Sequence, residues 1–253
     1  MATRRKSASA FEKYAHEYDW MTNAAQREVN HAREVDAIIE RCYPTRVLDA
    51  GCATGLTTAL FARRGIPSVG LDHSRPMIAV ARQKYANSVL PMSFRWGKFE
   101  RLPKAMDSSF DTVVCLANAI TGVSTRSGLM ASLRGFYRVL SDRGTLVLQM
   151  LNYLAVEEGT LLPIRATENQ GIVYARYSQR RGKKLAIHVV RIDLNAKPPV
   201  TEPFVHEFDN YSPDEMLTAI RRSGFKNIEA YGELTFQKRF TKTSRDLVIL
   251  ARR

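Results

Sequence analysis

The segment Val47-Leu48-Asp49-Ala50-Gly51-Cys52-Ala53-Thr54-Gly55 constrains the fold more than any other part of the chain. It reads as a buried strand over 46–50 running straight into a glycine-rich turn, then a helix over 56–63. A second apolar run, Ser68-Val69-Gly70-Leu71, ends on Asp72, 23 positions after Asp49. Strand, glycine turn, helix and acid-tipped strand build a crevice at the carboxyl ends of a parallel α/β sheet. Glycines let the backbone approach a ligand, and an acid at the second strand tip can accept from both hydroxyls of a ribose. The spacing is Asp-x-Gly-x-x-x-Gly, without the third glycine of the dinucleotide fingerprint that seats a pyrophosphate on a helix N-terminus. An NAD-dependent enzyme is therefore a poor fit.

The surrounding pattern extends the sheet. Phe11, Tyr14, Ala15 and Tyr18 share one face of an expected helix over 9–18, and Val35, Ile38, Ile39 and Cys42 share one face of a second over 24–42, stopped by Pro44. Ser74 caps a helix with Pro76 in its first turn. Strands are expected over 91–97, 110–115 and 145–150, with a helix over 126–140. Between 152 and 210 the helical period gives way to alternating strands over 172–178, 185–194 and 204–208, with Arg180-Arg181-Gly182-Lys183 as a turn. Ser212-Pro213-Asp214-Glu215 opens a capped helix that Gly224 stops, and two closing strands near 227–231 and 246–251 are joined only by a loop. The expectation is a Rossmann-like α/β fold with seven mostly parallel strands, the last antiparallel. Helices over 1–43 cap the N-terminal side. Residues 1–151 and 211–253 form the main domain, and 152–210 insert a small antiparallel sheet as a lid over the strands' carboxyl ends.

Charge and composition narrow the setting. The formal net charge is +13, but the basic residues are scattered (Arg4-Arg5-Lys6 in a basic tail over 1–7, Arg63-Arg64, Arg221-Arg222, Lys238-Arg239) and lack interleaved aromatic residues. Three unpatterned cysteines, Cys42, Cys52 and Cys115, point to neither a disulfide framework nor a zinc site, and no metal is expected. No apolar run approaches the roughly 20 residues of a membrane helix, and the N-terminus lacks a signal peptide's apolar region. A cytoplasmic protein without membrane contact, monomeric or homodimeric, is expected.

Five landmarks in order carry a family resemblance: Phe11-x-x-Tyr14-Ala15-x-x-Tyr18-Asp19, Leu48-Asp-Ala-Gly-Cys-Ala-Thr-Gly55, Gly70-Leu-Asp72-x-Ser74-x-x-Met77, Phe110-Asp-x-Val-Val-Cys115 and Arg138-Val-Leu-x-x-x-Gly144. Together they resemble the class I S-adenosylmethionine-dependent methyltransferases, whose ligand carries no phosphate. Cys115-Leu-Ala-Asn118 and Leu151-Asn152-Tyr153 are most similar to the small-molecule branch related to glycine/sarcosine N-methyltransferases. The resemblance implies S-adenosyl-L-methionine as cofactor. Asp49 would orient the loop and meet the cofactor's amino acid end, with Gly51, Cys52 and Gly55 in close backbone contact. Asp72, followed by His73, would hold the ribose, and Met77 would pack on the adenine. Leu116, Ala117 and Asn118 would line the methionine moiety and methyl group, and the Tyr14/Tyr18 helix would close over it. Two departures stand out. Lys98 occupies the position of an acid that accepts from the adenine amino group, leaving recognition to Phe99's backbone and to packing, or to Glu100 in the acid's place; an ammonium has no acceptor lone pair. Leu151-Asn152-Tyr153-Leu154 lacks the family's charged ends, which argues against glycine as the acceptor.

Methyl transfer is an in-line displacement that needs alignment and water exclusion. A hydroxyl acceptor also needs a base, whereas an amine needs only its neutral form. The candidate bases are His16, His31, His188 and His206, with Tyr14, Tyr18 and Tyr153 as polar anchors; His188, His206 and Tyr153 are the expected catalytic set. His188 shares a strand face with Ala186, Val190 and Ile192, and His206 alternates with Phe204 and Phe208. An aromatic lid fits a neutral small molecule, while Arg165, Arg176 and Arg191 fit a carboxylate or phosphate; the sequence leaves both open. The leading expectation is methylation of a small-molecule nitrogen or oxygen. The alternatives are an RNA or protein methyltransferase using the basic surface, and a regulatory protein that binds the cofactor without turnover, motivated by Lys98.

Overall fold

Strands that read as continuous apolar runs are buried on both faces, and in the computed structural model they pair into one central sheet. The structure describes residues 10–209 and 211–253; the basic tail over 1–7 and the insertion's far boundary at 210 lie outside the described residues. In chain order the elements are α1 (Ala10–Lys13), α2 (Tyr18–Met21), α3 (Ala24–Cys42), β1 (Val47–Ala50), α4 (Leu56–Arg63), β2 (Ser68–Asp72), α5 (Arg75–Lys84), β3 (Met92–Trp96), β4 (Phe110–Cys115), α6 (Arg126–Val139) and β5 (Leu140–Leu151). Then come β6 (Leu161–Asn169), β7 (Ile172–Arg181), β8 (Lys184–Asp193), β9 (Val200–Asp209), α7 (Pro213–Arg222), β10 (Lys226–Tyr231) and β11 (Asp246–Arg252). The large sheet has the order β10-β11-β5-β4-β1-β2-β3. β1 to β5 run parallel, and β11 is antiparallel to both β5 and β10. An antiparallel partner can be reached through a short connection, whereas a parallel one needs a crossover.

Alternation along these strands feeds two separate cores. Leu48, Val113, Leu146 and Ile249 point to the side covered by Leu133 and Phe136 of α6 and by Met216 and Ile220 of α7. Val47, Val114, Val147 and Val248 point to the other, covered by Val35 and Ile38 of α3 and by Leu60 and Phe61 of α4. Each such side chain contributes roughly 1.5–3 kcal/mol on burial. No helix among the described residues is long and apolar enough to cross a membrane.

The second sheet, β6-β7-β8-β9, is an antiparallel meander. It has one strand more than the sequence pattern indicated. β6 contains Pro163, is largely exposed and carries a register shift between Pro163 and Arg165; edge strands tolerate both, and neither leaves an alternating signature. The N-terminal segment also differs from the expected single helix over 9–18. Tyr14 leaves helical geometry (φ −116°, ψ 41°), so α1 ends, a short 3-10 turn follows, and α2 starts anew. The break has a tertiary cause. Tyr14 and Glu17 are turned toward the small sheet, where Glu202 and Arg191 take them.

The meander's two faces are therefore unequal. Tyr174, Arg176, Val189, Arg191, Phe204 and His206 alternate onto one face. That face packs on the N-terminal segment: Val189 and Tyr174 share a cluster with Ala10 and Met21, and Phe204 meets the Tyr14 ring edge-on at 6.0 Å. Val173, Tyr177, His188 and Val205 alternate onto the opposite, outer face.

Candidate active site

The turn after β1 is shaped by backbone that other residues resist. Gly51, Ala53 and Gly55 all have positive φ (93°, 47° and 87°). A Cβ on Gly51 would lie 2.4 Å from the Ala119 Cβ, and one on Gly55 would lie 2.5 Å from the Phe94 ring. Only glycine fits either place. The turn is tied to the tip of β2: Gly51 and Cys52 donate their N–H groups to the Leu71 carbonyl at 2.7 and 3.2 Å.

Asp72 ends β2 beside this turn. Its Oδ2 accepts from the Ala53 N–H at 3.0 Å and its Oδ1 from the Ser74 N–H at 2.8 Å. A carboxylate has about four acceptor positions, so each oxygen keeps one for a ligand. Met77 is buried in the first turn of α5, whose N-terminus Ser74 caps. His73 is exposed, with Nδ1 3.5 Å from Asp72.

Asp49 lies deeper, buried in β1, and its Oδ2 accepts from the Thr58 hydroxyl at 2.7 Å. Burial, then the nearby charge of Asp72, push its carboxyl from an ordinary 3.8 to about 7, against the pull of Thr58. The folded chain thus binds this proton more tightly than the unfolded chain. The stability the group contributes is present below pH 3.8 and is lost as pH rises through about 7. Asp49→Asn, which fixes the neutral form, is expected to melt at about the parent's temperature at pH 4 and above it at pH 8. Thermal scans of both proteins across that range check this; a constant difference would show that Asp49 is ionised throughout.

The N-terminal segment joins the glycine turn to the small antiparallel sheet. Asp19 accepts from the Thr54 hydroxyl and from the Lys84 ammonium, both at 2.7 Å. Two residues earlier, Glu17 is held bidentately by Arg191, with both N···O distances 3.0 Å, and also accepts from the Tyr174 hydroxyl. Burial pushes the Glu17 carboxyl up, but these bonds outweigh it and hold it below its usual range. The Tyr14 hydroxyl donates to Glu202 at 2.5 Å, and the Tyr14 ring lies 4.4 Å from the Arg191 guanidinium. Tyr18 packs edge-on against Phe11. Asp19 and Glu17 were not among the expected site residues. An acid on a short helical segment reads as solvated, and its distant partners leave no local signal.

Beyond β4, Ala117 and Asn118 take consecutive positive φ values of 50° and 66° and bring the chain back over the strand ends. Asn118 is locked there: its side-chain oxygen accepts from the Leu151 N–H at 3.1 Å, and its N–H donates to Gln149 at 3.3 Å. Leu116 is buried beside them. Tyr153 is also buried. Its hydroxyl has no hydrogen-bond partner among the described residues, and burial pushes its pKa to about 12 despite Asn118 and Thr121 nearby.

Several expected residues fall elsewhere. The Cys52 side chain packs with Ile78, Ala81 and Phe94, so only its backbone faces the turn. Lys98 is exposed, while Phe99 is buried against Phe136, its ring under Gly51. His188 is on the small sheet's face opposite the one that packs on the N-terminal segment. His206 is on the inner face, edge-on to Phe11 and Phe208. His16 is exposed beside Glu17. His31 meets Thr57 at 3.1 Å, and burial with the Arg27 charge pushes its pKa down to about 4. Arg191 is spent on Glu17 rather than facing a ligand. Among the described residues no group of three or more His, Cys, Asp or Glu could hold a metal ion.

A methyltransferase domain family matches residues 47–144, the stretch from β1 to the turn inside β5. Over that stretch, and in its sheet order, the chain is similar to the class I S-adenosylmethionine-dependent methyltransferases. It is 26% identical over 214 residues to a glycine/sarcosine/dimethylglycine N-methyltransferase of Actinopolyspora halophila, covering 80% of this chain and 35% of that protein. It is 37% identical over 91 residues to a ubiquinone biosynthesis O-methyltransferase of Hahella chejuensis, covering 35% of this chain and 38% of that protein. The matches thus span well under half the length of these curated relatives. The solved structure of S-adenosylmethionine-bound CalS10, an amino pentose methyltransferase from Micromonospora echinaspora, superposes with a TM-score of 0.70 at 20% identity, covering 100% of both chains.

Proposed function

We propose that this chain transfers the methyl group of S-adenosylmethionine to a nitrogen or oxygen of a small molecule. Residues 1–151 and 211–253 bind the cofactor and 152–210 form the acceptor's lid. The observation that carries the reading is Asp72, fixed by two backbone bonds beside a glycine turn, with an acceptor position left on each oxygen. That donor set fits a ribose diol. The orphaned Tyr153 hydroxyl, buried near Asn118, fits a polar group arriving from the acceptor side. When bound, the cofactor supplies an electrophilic sulfonium methyl. Asp49 receives the ammonium of its amino acid end, the Gly51 and Cys52 backbone lies against the same end, and Met77 and Phe99 flank the adenine. Leu116, Ala117 and Asn118 line the methyl end. Tyr14 offers its ring, since its hydroxyl is already bonded to Glu202. An amine acceptor needs only positioning and a dry crevice, whereas a hydroxyl needs a base, for which inward-facing His206 is placed better than His188. The N- and O-methyltransferase relatives support both acceptors. The proposed setting is the cytoplasm, consistent with three free cysteines.

Calorimetry with S-adenosylmethionine and S-adenosylhomocysteine tests the reading, with binding at one site per chain expected. Absence of heat at millimolar ligand would remove it. Saturable RNA binding with a steep salt slope would replace the small-molecule acceptor with a nucleic acid, and light scattering decides between monomer and homodimer.

A further inference from the structure

Two withdrawn arginines in this chain come with carboxylates. Arg191 takes Glu17, and Arg64 takes Asp36 through two nitrogens. Arg176 breaks the pattern. It sits in the middle of β7, Cα-paired with Val189 on one side and Arg165 on the other, on the lid face that packs against the N-terminal segment. It is half-buried, its Nε is buried without a hydrogen-bond partner, and among the described residues no acid lies within ion-pair distance of it.

Its surroundings are basic instead. Arg165 is its cross-strand neighbour, and like charges in that relation repel. Arg27, near the start of α3, is close enough that its charge acts on Arg176; it packs over Tyr18 at 5.4 Å, and its guanidinium bonds Thr22 and no acid among the described residues. Burial first, then the charges of Arg27 and Arg165, push the Arg176 pKa down, against Tyr18. Thr167, two residues beyond Arg165 on the same face of β6, has a buried hydroxyl that is also unpartnered. Three guanidiniums and a hydroxyl thus lie near one another with no carboxylate paired to any of them among the described residues. Such a cluster is unfavourable in the empty protein and becomes favourable when an oxyanion enters, because guanidinium forks bind planar carboxylate and phosphate oxygens bidentately.

We propose that Arg176, Arg165, Arg27 and Thr167 form a subsite for a phosphate or carboxylate carried by the methyl acceptor. The assignment to the acceptor rests on the methyltransferase reading above and on position. Asp19 faces the glycine turn from one side of the N-terminal segment, while Tyr14 and Glu17 face the lid from the other, and the arginine cluster is on the lid side. The anion therefore belongs to the molecule the lid covers rather than to the cofactor.

The test titrates the protein, alone and loaded with S-adenosylhomocysteine, with inorganic phosphate and separately with acetate at constant ionic strength. Saturable binding of at least one anion is expected. It should weaken at least tenfold in Arg176→Gln and in Arg165→Gln, and stay unchanged in Arg222→Gln, an exposed position on α7. The anion that saturates identifies the oxyanion. The unliganded Arg176→Gln protein should melt no lower than the parent, since an uncompensated charge is removed; a lower melting temperature would make Arg176 structural and overturn the proposal. Anion binding equal in all three variants, or no saturable binding, would also overturn it. A tenfold loss of S-adenosylhomocysteine affinity in Arg176→Gln would reassign the cluster to the cofactor's own carboxylate. Failure of S-adenosylhomocysteine to bind the parent would instead sink the methyltransferase reading, while the anion titration still reports on this cluster.

Discussion

Asp72→Asn is expected to weaken S-adenosylhomocysteine binding by about 30- to 1,000-fold, or about 2–4 kcal/mol. Ala53 and Ser74 take one acceptor position on each oxygen of the parent's carboxylate, and under the proposed function the ribose hydroxyls would take the others. Hydrogen bonds to a charged group are worth about 1.5–3 kcal/mol each. An amide keeps one oxygen, and its nitrogen presents hydrogens to the Ala53 N–H. The substitution therefore removes a ribose contact and also loosens the glycine turn. Loosening alone lowers the melting temperature in proportion to the lost affinity. Loss of the ribose contact reduces affinity well beyond that, so calorimetry paired with a thermal scan separates the two. An affinity within threefold of the parent's would show that Asp72 serves the turn and not a ligand.

Arg191→Met should cost about 3–5 kcal/mol, because removing one partner of a buried pair leaves the other charge uncompensated. Glu17 would keep the Tyr174 hydroxyl and the exposed His16 ring at 3.4 Å but lose its guanidinium, in a place where it is 5% exposed. For a chain of this size the cost corresponds to a fall of about 6–20 °C in melting temperature. The double variant Glu17→Leu/Arg191→Met should recover a large part of that loss, since apolar replacement of a buried ion pair is often neutral or favourable. The residual deficit would be the price of Tyr174, whose hydroxyl loses its acceptor. If the double variant melts no higher than the single one, the pair is not what docks the lid on the N-terminal segment.

The central sheet was legible because its information is local. Val47–Ala50 and Ser68–Asp72 are short apolar runs bounded by turn residues, Ser74 and the Ser212–Glu215 capping box mark helix starts, and the loop-only link between β10 and β11 implies a reversed strand. The crevice was legible for the same reason, since glycine turn and acid are fixed by spacing. The lid was less so. Alternation shows that His188 and His206 are on faces of strands, but which face turns inward depends on what the sheet packs against. That is decided by Glu17–Arg191 and Tyr14–Glu202, pairs separated by 174 and 188 positions. The same pairs break the helix that the spacing of Phe11, Tyr14, Ala15 and Tyr18 implies. β6 was missed because Pro163 and its exposed edge erase the period that reveals its neighbours.

The position of β11 has a consequence for how the chain folds. This strand occupies an interior place in the sheet, and its first residue pairs with Leu151, 95 positions earlier. Bringing such distant segments together is slow, because the entropy of closing the loop is lost before the contacts repay it. The meander lies inside that loop and pairs only sequential neighbours, so its contacts are local and can form first. Once formed, it draws the chain on either side of it together and shortens the span left to close. The small sheet's sequential pairing thus favours its formation before the long-range closure of β11 onto β5.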